Sequence, residues 1–158
     1  MAKATSGDQL TRRELAAWRG LLRTHARVLA GLDAELEQAH GLAVPEYEVL
    51  LVLSESGDQN LRMSELADAA LLTRSGMTRL VDRLEKQGLV RRERCAADGR
   101  GTYAVITPEG LARYEAARPT HIAGVRRMFL DPLKKKEQRL LADAFDVVLG
   151  ESPAPDGP

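Results

Sequence analysis

The side chains best suited to contact phosphates and base edges are concentrated in one part of this sequence. Between Leu71 and Gly101 there are eight basic and four acidic residues, although the whole chain of 158 residues has 23 of each. Between Gly31 and Ala70, by contrast, nine acidic residues accompany a single arginine. An excess of positive charge concentrated in one segment of a neutral chain predicts contact with a nucleic-acid backbone. A merely solvated charged surface is the alternative.

The basic segment has the pattern of a helix with one buried and one exposed face. Four apolar residues recur at helical spacing: Met77, Leu80, Val81 and Leu84. They predict a buried stripe. Thr73 can cap the N-terminus of this helix, and Gly88 can follow its last turn with a positive φ. The outward face has hydroxyls and arginines near its start, which is the composition expected of a helix lying in a DNA major groove.

Further elements complete a winged helix-turn-helix around that recognition helix. A short helix capped by Ser64 is expected before it, followed by a turn at residues 71–72. Residues 89–94 and 102–106 are predicted strands of a hairpin, the wing, and residues 61–63 can add a third strand. The predicted fold class is therefore mainly α with a small β-wing, flanked by N- and C-terminal dimerisation helices.

Ten residues of this unit are candidate DNA contacts. They are Ser64, Thr73, Arg74, Ser75, Thr78, Arg79, Arg83, Arg94, Asp98 and Arg100. We expect Ser75, Thr78 and Arg79 to read base edges, since arginine can donate two bonds to guanine and hydroxyls reach bases or phosphates. Arg74 and Arg83 are expected to hold phosphates.

The loop of the wing has its own chemistry. Arg100 lies beside two glycines and is suited to a minor groove, where the potential is negative. Asp98 cannot bind phosphate and is expected to hold a neighbouring arginine in position. Cys95 lies among arginines, and nearby cations favour the reactive thiolate. A redox-sensing regulator is therefore an alternative, and an inert Cys95 is the simpler interpretation.

Apolar seams at both ends of the chain are longer than a small reading unit can cover. Thr11 and Glu14 form a capping box at the start of a long helix. Its heptad positions are Leu15, Trp18, Leu22, His25, Leu29, Leu32 and Leu36. A C-terminal helix predicted over residues 132–149 has a similar stripe of apolar residues. We expect a homodimer with Leu15, Trp18, Leu22, Leu140, Leu141 and Phe145 at its interface, and packing within one chain is the alternative. A twofold dimer matches a palindromic operator with half-sites about 10 bp apart.

These segments resemble the multiple-antibiotic-resistance regulator (MarR) family of bacterial winged helix-turn-helix transcription factors. The resemblance rests on Met63–Ala67, Arg79–Val90, Arg91–Gly101 with its Asp98-x-Arg100 pair, and Ile106–Gly110. It implies a dimer joined by its terminal helices that binds double-stranded DNA. It also implies a small aromatic or phenolic ligand between the joint and the reading unit. Gly99 departs from the family, which often has a second basic residue there.

A ligand set follows from the same resemblance. Trp18, Glu48, Arg79 and Arg92 are similar to the set of the urate-responsive branch, although that branch has Asp where Glu48 stands here. The alternative is that Trp18 is a seam residue and that the arginines contact DNA or solvent. The expected function is a dimeric, sequence-specific transcription regulator, a repressor released by a phenolic or urate-like ligand. A winged-helix module used only for protein contacts is an alternative.

The domain boundaries follow from these assignments. Residues 1–9 and 151–158 are expected to be disordered, residues 10–44 and 108–150 to form the dimerisation helices, and residues 45–107 to form the winged helix-turn-helix domain, whose first helix runs over residues 45–55.

Other classes of function lack their signatures. The sequence has no glycine-rich phosphate loop and no G-x-S-x-G turn, so we expect neither an enzyme nor a cofactor. The three histidines stand at no ligand spacing, so no metal is expected. Because no apolar segment is long enough to cross a bilayer and no signal peptide is recognisable, we expect a cytoplasmic protein without membrane contact.

Overall fold

The computed structural model describes residues 9–70, 73–94 and 101–151, and these ranges form several helices and one small antiparallel sheet. The helices are α1 (Arg12–His40), α2 (Val44–Glu55), α3 (Met63–Ala69), α4 (Arg74–Lys86), α5 (Pro108–Val125) and α6 (Lys135–Leu149). The strands are β1 (Asn60–Arg62), β2 (Val90–Arg94) and β3 (Thr102–Ile106). A π-helical turn, Arg126–Leu130, follows α5. The mainly α class with a small sheet is confirmed.

The sheet has the order β1-β3-β2, and both pairs of strands are antiparallel. Val90 pairs with Ile106 at one end of the hairpin, and Arg94 pairs with Thr102 at the other. The third strand expected beside the wing is present and ends at Arg62, because Met63 already begins α3. The sheet therefore joins the start of α3 to the wing.

Side-chain caps fix where most of the helices begin. Thr11 and Glu14 form the expected capping box of α1, and Thr73 accepts a bond from the Gly76 amide at the start of α4. The prediction that Ser64 caps α3 is wrong. Arg62 is the capping position, and its backbone N–H donates to the carboxylate of Glu65 at 3.1 Å. Because the strand leads directly into α3, the helix begins at Met63, two residues earlier than a cap at Ser64 would place it.

The inner stripe of α4 lies in the core. Its four residues Met77, Leu80, Val81 and Leu84 are all buried, as predicted. They belong to one apolar cluster with the inner residues of α2, α3 and the wing strands. Burying an apolar side chain of this size contributes roughly 1.5–3 kcal/mol, so the rotation of α4 about its axis is fixed and its polar face is held outward.

Helix α5 passes very close to the end of α4. A Cβ added to Gly110 would lie 2.0 Å from the carbonyl oxygen of Leu89. Thr107 caps α5 by accepting from the Gly110 amide and donates to the carbonyl of Gly88. Gly88 has φ +73°, as predicted for the residue after α4. The start of α5 is therefore attached to the segment that connects α4 to β2.

The N-terminal half of α1 and the whole of α6 leave apolar side chains uncovered within one chain. Of the α1 heptad positions only Leu32 and Leu36 are buried, both in the half that packs on α5. Helix α6 has no buried residue. It begins at Lys135 rather than Pro132, because Glu137 caps the chain at Lys134. Among the described residues, no helix combines the length and apolarity needed to span a membrane.

Several predictions lie outside the described residues. They concern the turn at Leu71 and Leu72, Cys95, Asp98 and Arg100 of the wing loop, and disorder over residues 1–8 and 152–158.

Candidate nucleic-acid interface

The outward face of α4 brings the predicted base-reading residues together. Ser75, Thr78 and Arg79 are all exposed. The Thr78 hydroxyl donates to the carbonyl of Arg74 at 3.0 Å, and Nε of Arg79 donates to the carbonyl of Ser75 at 3.4 Å. These bonds orient the side chains along the helix and still leave the hydroxyl oxygen of Thr78 as an acceptor. The terminal nitrogens of Arg79 are suited to an outside partner.

The first turn of α4 adds an anion-binding geometry. Arg74 is exposed at its first position, and Thr73 precedes it with its hydroxyl 3.4 Å from that of Ser75. The first turn has no acidic residue. The partial positive charge of a helix N-terminus and an adjacent arginine both favour a phosphate here.

Arg83, near the other end of α4, has an internal partner that the sequence did not reveal. Its Nε lies 3.4 Å from Oε1 of Glu46, a buried residue of α2. The side chain of Arg83 is nevertheless 61% exposed. A residue expected to hold phosphate is thus anchored on one side and open to solvent on the other.

Arg92 ties the wing to α4. Its guanidinium lies 2.7 Å from the carboxylate of Asp82, pairs with Glu85, and donates to the carbonyl of Thr78 at 3.1 Å. The backbone N–H of Arg92 also donates to Glu85 at 2.8 Å. Two carboxylates therefore neutralise this arginine, and its donors are largely occupied.

The wing itself contributes one described candidate. Arg94, the last residue of β2, is exposed. Arg91 pairs with Glu93 of the same strand at 2.6 Å. Asp98 and Arg100, the other two predicted wing contacts, lie in the part of the chain that the structure does not describe.

Ser64 faces a cleft between α3, α4 and the sheet. The cleft has a volume of about 530 Å³ and is lined by Arg62, Met63, Ser64, Thr78, Asp82, Arg92, Gly101 and Thr102. Ser64 is exposed beside this cleft, and its side chain does not cap α3. Its hydroxyl thus remains a candidate for contact with the DNA backbone.

No hydrogen bond or ion pair among the described residues joins the predicted ligand set. Trp18 is 53% exposed on the uncovered half of α1, whereas Glu48 packs against α5 and Arg79 faces outward on α4. The bonds of Arg92 to Asp82 and Glu85 weigh against a role for it as an anion ligand.

An aromatic cluster lies between α2 and α5 and was not predicted from the sequence. The ring of Tyr47 stacks on His121 with centroids 4.4 Å apart and lies 5.5 Å from the ring of Tyr114. Burial raises the pKa of Tyr47 to about 12, with Tyr114 and Glu48 adding to the effect. Burial also lowers the pKa of His121 and raises that of Glu48, which lies 3.9 Å from the imidazole. Tyr47 and His121 are 74 residues apart in the sequence, so no local sequence pattern indicates their contact.

The described residues contain no group of three or more His, Cys, Asp or Glu side chains arranged to hold a metal ion. The chemistry of this surface is accordingly that of arginines, hydroxyls and one helix N-terminus.

Comparisons with known proteins point in one direction. The family model described as MarR family matches residues 40–101. The transcriptional repressor YetL of Bacillus subtilis is 31% identical over 109 residues, which are 67% of this chain and 65% of that repressor. The chain thus aligns with just under two thirds of that relative's length. YetL and another relative, the regulator MhqR of Bacillus subtilis, are transcriptional regulators, in agreement with the prediction that the chain is not an enzyme.

Two solved structures from Streptomyces coelicolor match over most of their length. AbsC, a MarR family transcriptional regulator, is 37% identical, with a TM-score of 0.84 over 90% of this chain and 95% of AbsC. Sco3205, another such regulator, was solved in complex with DNA. It is 35% identical, with a TM-score of 0.86 over 91% of this chain and 90% of its own.

Proposed function

We propose, since the chain belongs to the MarR family of transcriptional regulators, that it is a dimeric repressor. It binds a palindromic operator and leaves it when a small phenolic or urate-like ligand binds. The proposal of DNA binding rests mainly on the two faces of α4. One face is a buried apolar stripe, and the other is exposed and consists of hydroxyls and arginines. The likeness to Sco3205, solved with DNA, supports the same proposal.

The contacts divide by position on α4 and the wing. Ser75, Thr78 and Arg79 read base edges in the major groove. Arg74 and Arg83, at opposite ends of the helix, hold phosphates and set the register. The remaining contacts come from Ser64 and Thr73 beside the helix and from Arg94, Asp98 and Arg100 on the wing, with Arg100 in the minor groove.

Dimerisation rests on the apolar side chains that one chain leaves uncovered. Trp18 and Leu22 of α1 and Leu140 of α6 are about half exposed or more, at 53%, 48% and 58%. Such residues on two terminal helices form a surface that a second copy can bury. In this proposal residues 10–44 and 108–150 form the joint and residues 45–107 the reading unit. Leu15, Leu141 and Phe145 complete the interface.

The decisive experiment is selection of bound duplexes from a random 30-bp DNA pool. We expect enrichment of an inverted repeat whose half-sites are centred about 10 bp apart, one turn of B-DNA. The affinity for the enriched duplex should fall steeply with salt, because arginine–phosphate contacts release counterions. Failure to enrich any sequence in dilute buffer would overturn the proposal.

The dimer has its own test in sedimentation equilibrium. The wild type should sediment as a dimer, and Leu140→Glu should shift it toward monomer because the substitution places a charge in the proposed joint. Asp143→Lys, a charge change on the same helix, serves as the matched control and should leave the dimer intact. A monomeric wild type, or an unchanged Leu140→Glu dimer, would remove α6 from the interface.

Ligand release is tested by titrating salicylate and urate against the protein bound to its selected duplex. Displacement at millimolar ligand, with a parallel change in Trp18 fluorescence, supports the proposal. Displacement that persists in Trp18→Phe but not in Glu48→Gln would place the ligand at α2. No displacement by either compound would retire the phenolic and urate-like class.

A further inference from the structure

Glu46 is the charged side chain that the described part of the fold buries, at 5% exposure. It lies on the first turn of α2, which connects α1 with the reading unit. Burying a carboxylate is costly unless hydrogen bonds and a cation compensate for lost water. A buried carboxylate at this position therefore needs hydrogen-bond donors or a cation beside it, and the identity of these groups indicates what Glu46 does.

The two oxygens of Glu46 face two different elements. Oε2 accepts a bond from the backbone N–H of Ala43 at 3.0 Å and so caps α2. Oε1 lies 3.4 Å from Nε of Arg83 and 3.4 Å from the side-chain amide of Gln87, both in or directly after α4. One buried carboxylate thus joins the start of α2 to the end of the recognition helix.

The contact with Arg83 is one-sided. It is made through Nε, while 61% of the side chain is exposed, so the terminal guanidinium nitrogens remain available to a phosphate. An arginine held at one end loses fewer rotamers when it binds than a free one does. A cation placed this way is prepared for a ligand outside the protein.

We propose that Glu46 is a positioning residue of the DNA interface, which holds Arg83 in the orientation that contacts a backbone phosphate. The inference rests on the proposed function, since it assigns a further residue to the same site. It also couples that contact to the dimerisation helix. The N–H of Val44, next to Ala43, donates to Asp33 of α1 at 2.8 Å, so a shift at the junction of α1 and α2 moves the carboxylate that orients Arg83.

The test is a double-mutant cycle on the duplex selected by the wild type. Glu46→Gln keeps an oxygen for the Ala43 N–H and removes the charge that faces Arg83. We expect this variant to bind about 3- to 5-fold more weakly, and Arg83→Ala about 10-fold more weakly. In the Arg83→Ala background, Glu46→Gln should change affinity by less than about 1.5-fold.

Two controls separate positioning from a general structural effect. In an Arg74→Ala background, at the other end of α4, the loss from Glu46→Gln should stay complete. Glu137→Gln makes the same substitution at the cap of α6, where Glu137 accepts from Lys134, and any change in affinity that it causes should be the same with and without Arg83. Circular dichroism and thermal melting establish that each variant is folded. Glu46→Asp, which retains the charge but withdraws it from Arg83, replaces Glu46→Gln if the latter unfolds, with the same expected cycle.

The outcomes distinguish this inference from the proposed function. If the wild type enriches no duplex, the proposed function fails. If it enriches one and Glu46→Gln weakens binding equally with and without Arg83, Glu46 acts only on the fold and the positioning role is overturned. Unchanged or tighter binding by Glu46→Gln would overturn it as well.

Discussion

The guanidinium of Arg92 on β2 lies 2.7 Å from the carboxylate of Asp82 on α4. Through this pair, and through the adjacent bond to Glu85, the wing is oriented by the recognition helix itself. The Arg92 side chain is only 25% exposed, so the contact is shielded more than a typical surface ion pair. If α4 binds the major groove as proposed, this pair lets α4 and the wing meet the DNA as one unit, which leaves little ordering to occur on binding.

Removing Arg92 should loosen this unit without removing a contact to a DNA phosphate. We expect Arg92→Ala to lower the free energy of unfolding by about 1.5–3 kcal/mol, the range for hydrogen bonds to charged groups. It should weaken DNA binding while the slope of log affinity against log salt stays unchanged, because Asp82 and Glu85 already neutralise this arginine. Urea denaturation and binding from low to high salt measure the two effects.

Arg91→Ala is the matched control, because its partner Glu93 lies on the same exposed strand. It should change stability by less than about 0.5 kcal/mol. A salt slope reduced by about one in Arg92→Ala would contradict the assignment, since that is the signature of a lost phosphate contact.

Local patterns in the sequence predicted the reading unit well. The stripe led by Met77, the cap at Thr73 and the strand pairing of the wing all depend on residues close together in the chain, where spacing and capping chemistry apply directly. The error at Ser64 arose because two caps compete there, and the carboxylate of Glu65 caps the backbone at Arg62.

Contacts between distant elements were not predictable from spacing. Glu46 lies 41 residues from Gln87, and nothing near it in the sequence indicates that it is buried. The sequence predicts Arg92 as a ligand residue, with contact to DNA or solvent as the alternative, whereas its neighbours in space are two acids of α4. Packing between elements decides which arginines are neutralised by acids, and this packing cannot be predicted from a single sequence.

Arg79 and Arg83 should differ in how their loss depends on DNA sequence. Arg79→Ala is expected to relax the preference at one operator position by about 1–3 kcal/mol, because a bidentate contact to a base edge is lost. Arg83→Ala should weaken all duplexes alike and lower the salt slope by about one. Affinities for the selected duplex and for its single-base variants measure the difference. Equal losses on every duplex from Arg79→Ala would exclude it from base reading.

Gly110 should tolerate no side chain, because α5 passes the backbone of Leu89 there. A Cβ at this position would lie 2.0 Å from a carbonyl oxygen, and backbone atoms cannot give way as a flexible side chain can. Gly110→Ala is expected to cost more than about 2 kcal/mol of stability. Gly57→Ala is the control, since an added Cβ meets nothing within 4 Å there. Equal stability of the two variants in urea would contradict the close approach of α5 to the backbone of Leu89, which follows α4.

The stack of His121 on Tyr47 should make stability depend on pH. Burial lowers the pKa of His121 below its ordinary value of 6.5, so below pH 6.5 the unfolded chain binds a proton more readily than the folded one. Stability is therefore complete above that pH and is lost as the pH falls from 6.5 toward the lowered pKa. His121→Phe keeps an aromatic ring against Tyr47 but cannot titrate. Its melting temperature should fall less between pH 7 and pH 5 than that of the wild type, both measured at one protein concentration.

A substitution of Glu48 should change the same pH dependence in the opposite direction. Its carboxylate lies 3.9 Å from the imidazole and would favour the protonated ring. Burial also raises the pKa of Glu48, so the folded chain takes up this proton more readily than the unfolded one, and the titration of Glu48 opposes the loss due to His121 as the pH falls. Glu48→Gln removes both effects and should make the decline between pH 7 and pH 5 steeper. If His121→Phe and the wild type lose stability in parallel, the imidazole is not the group that titrates.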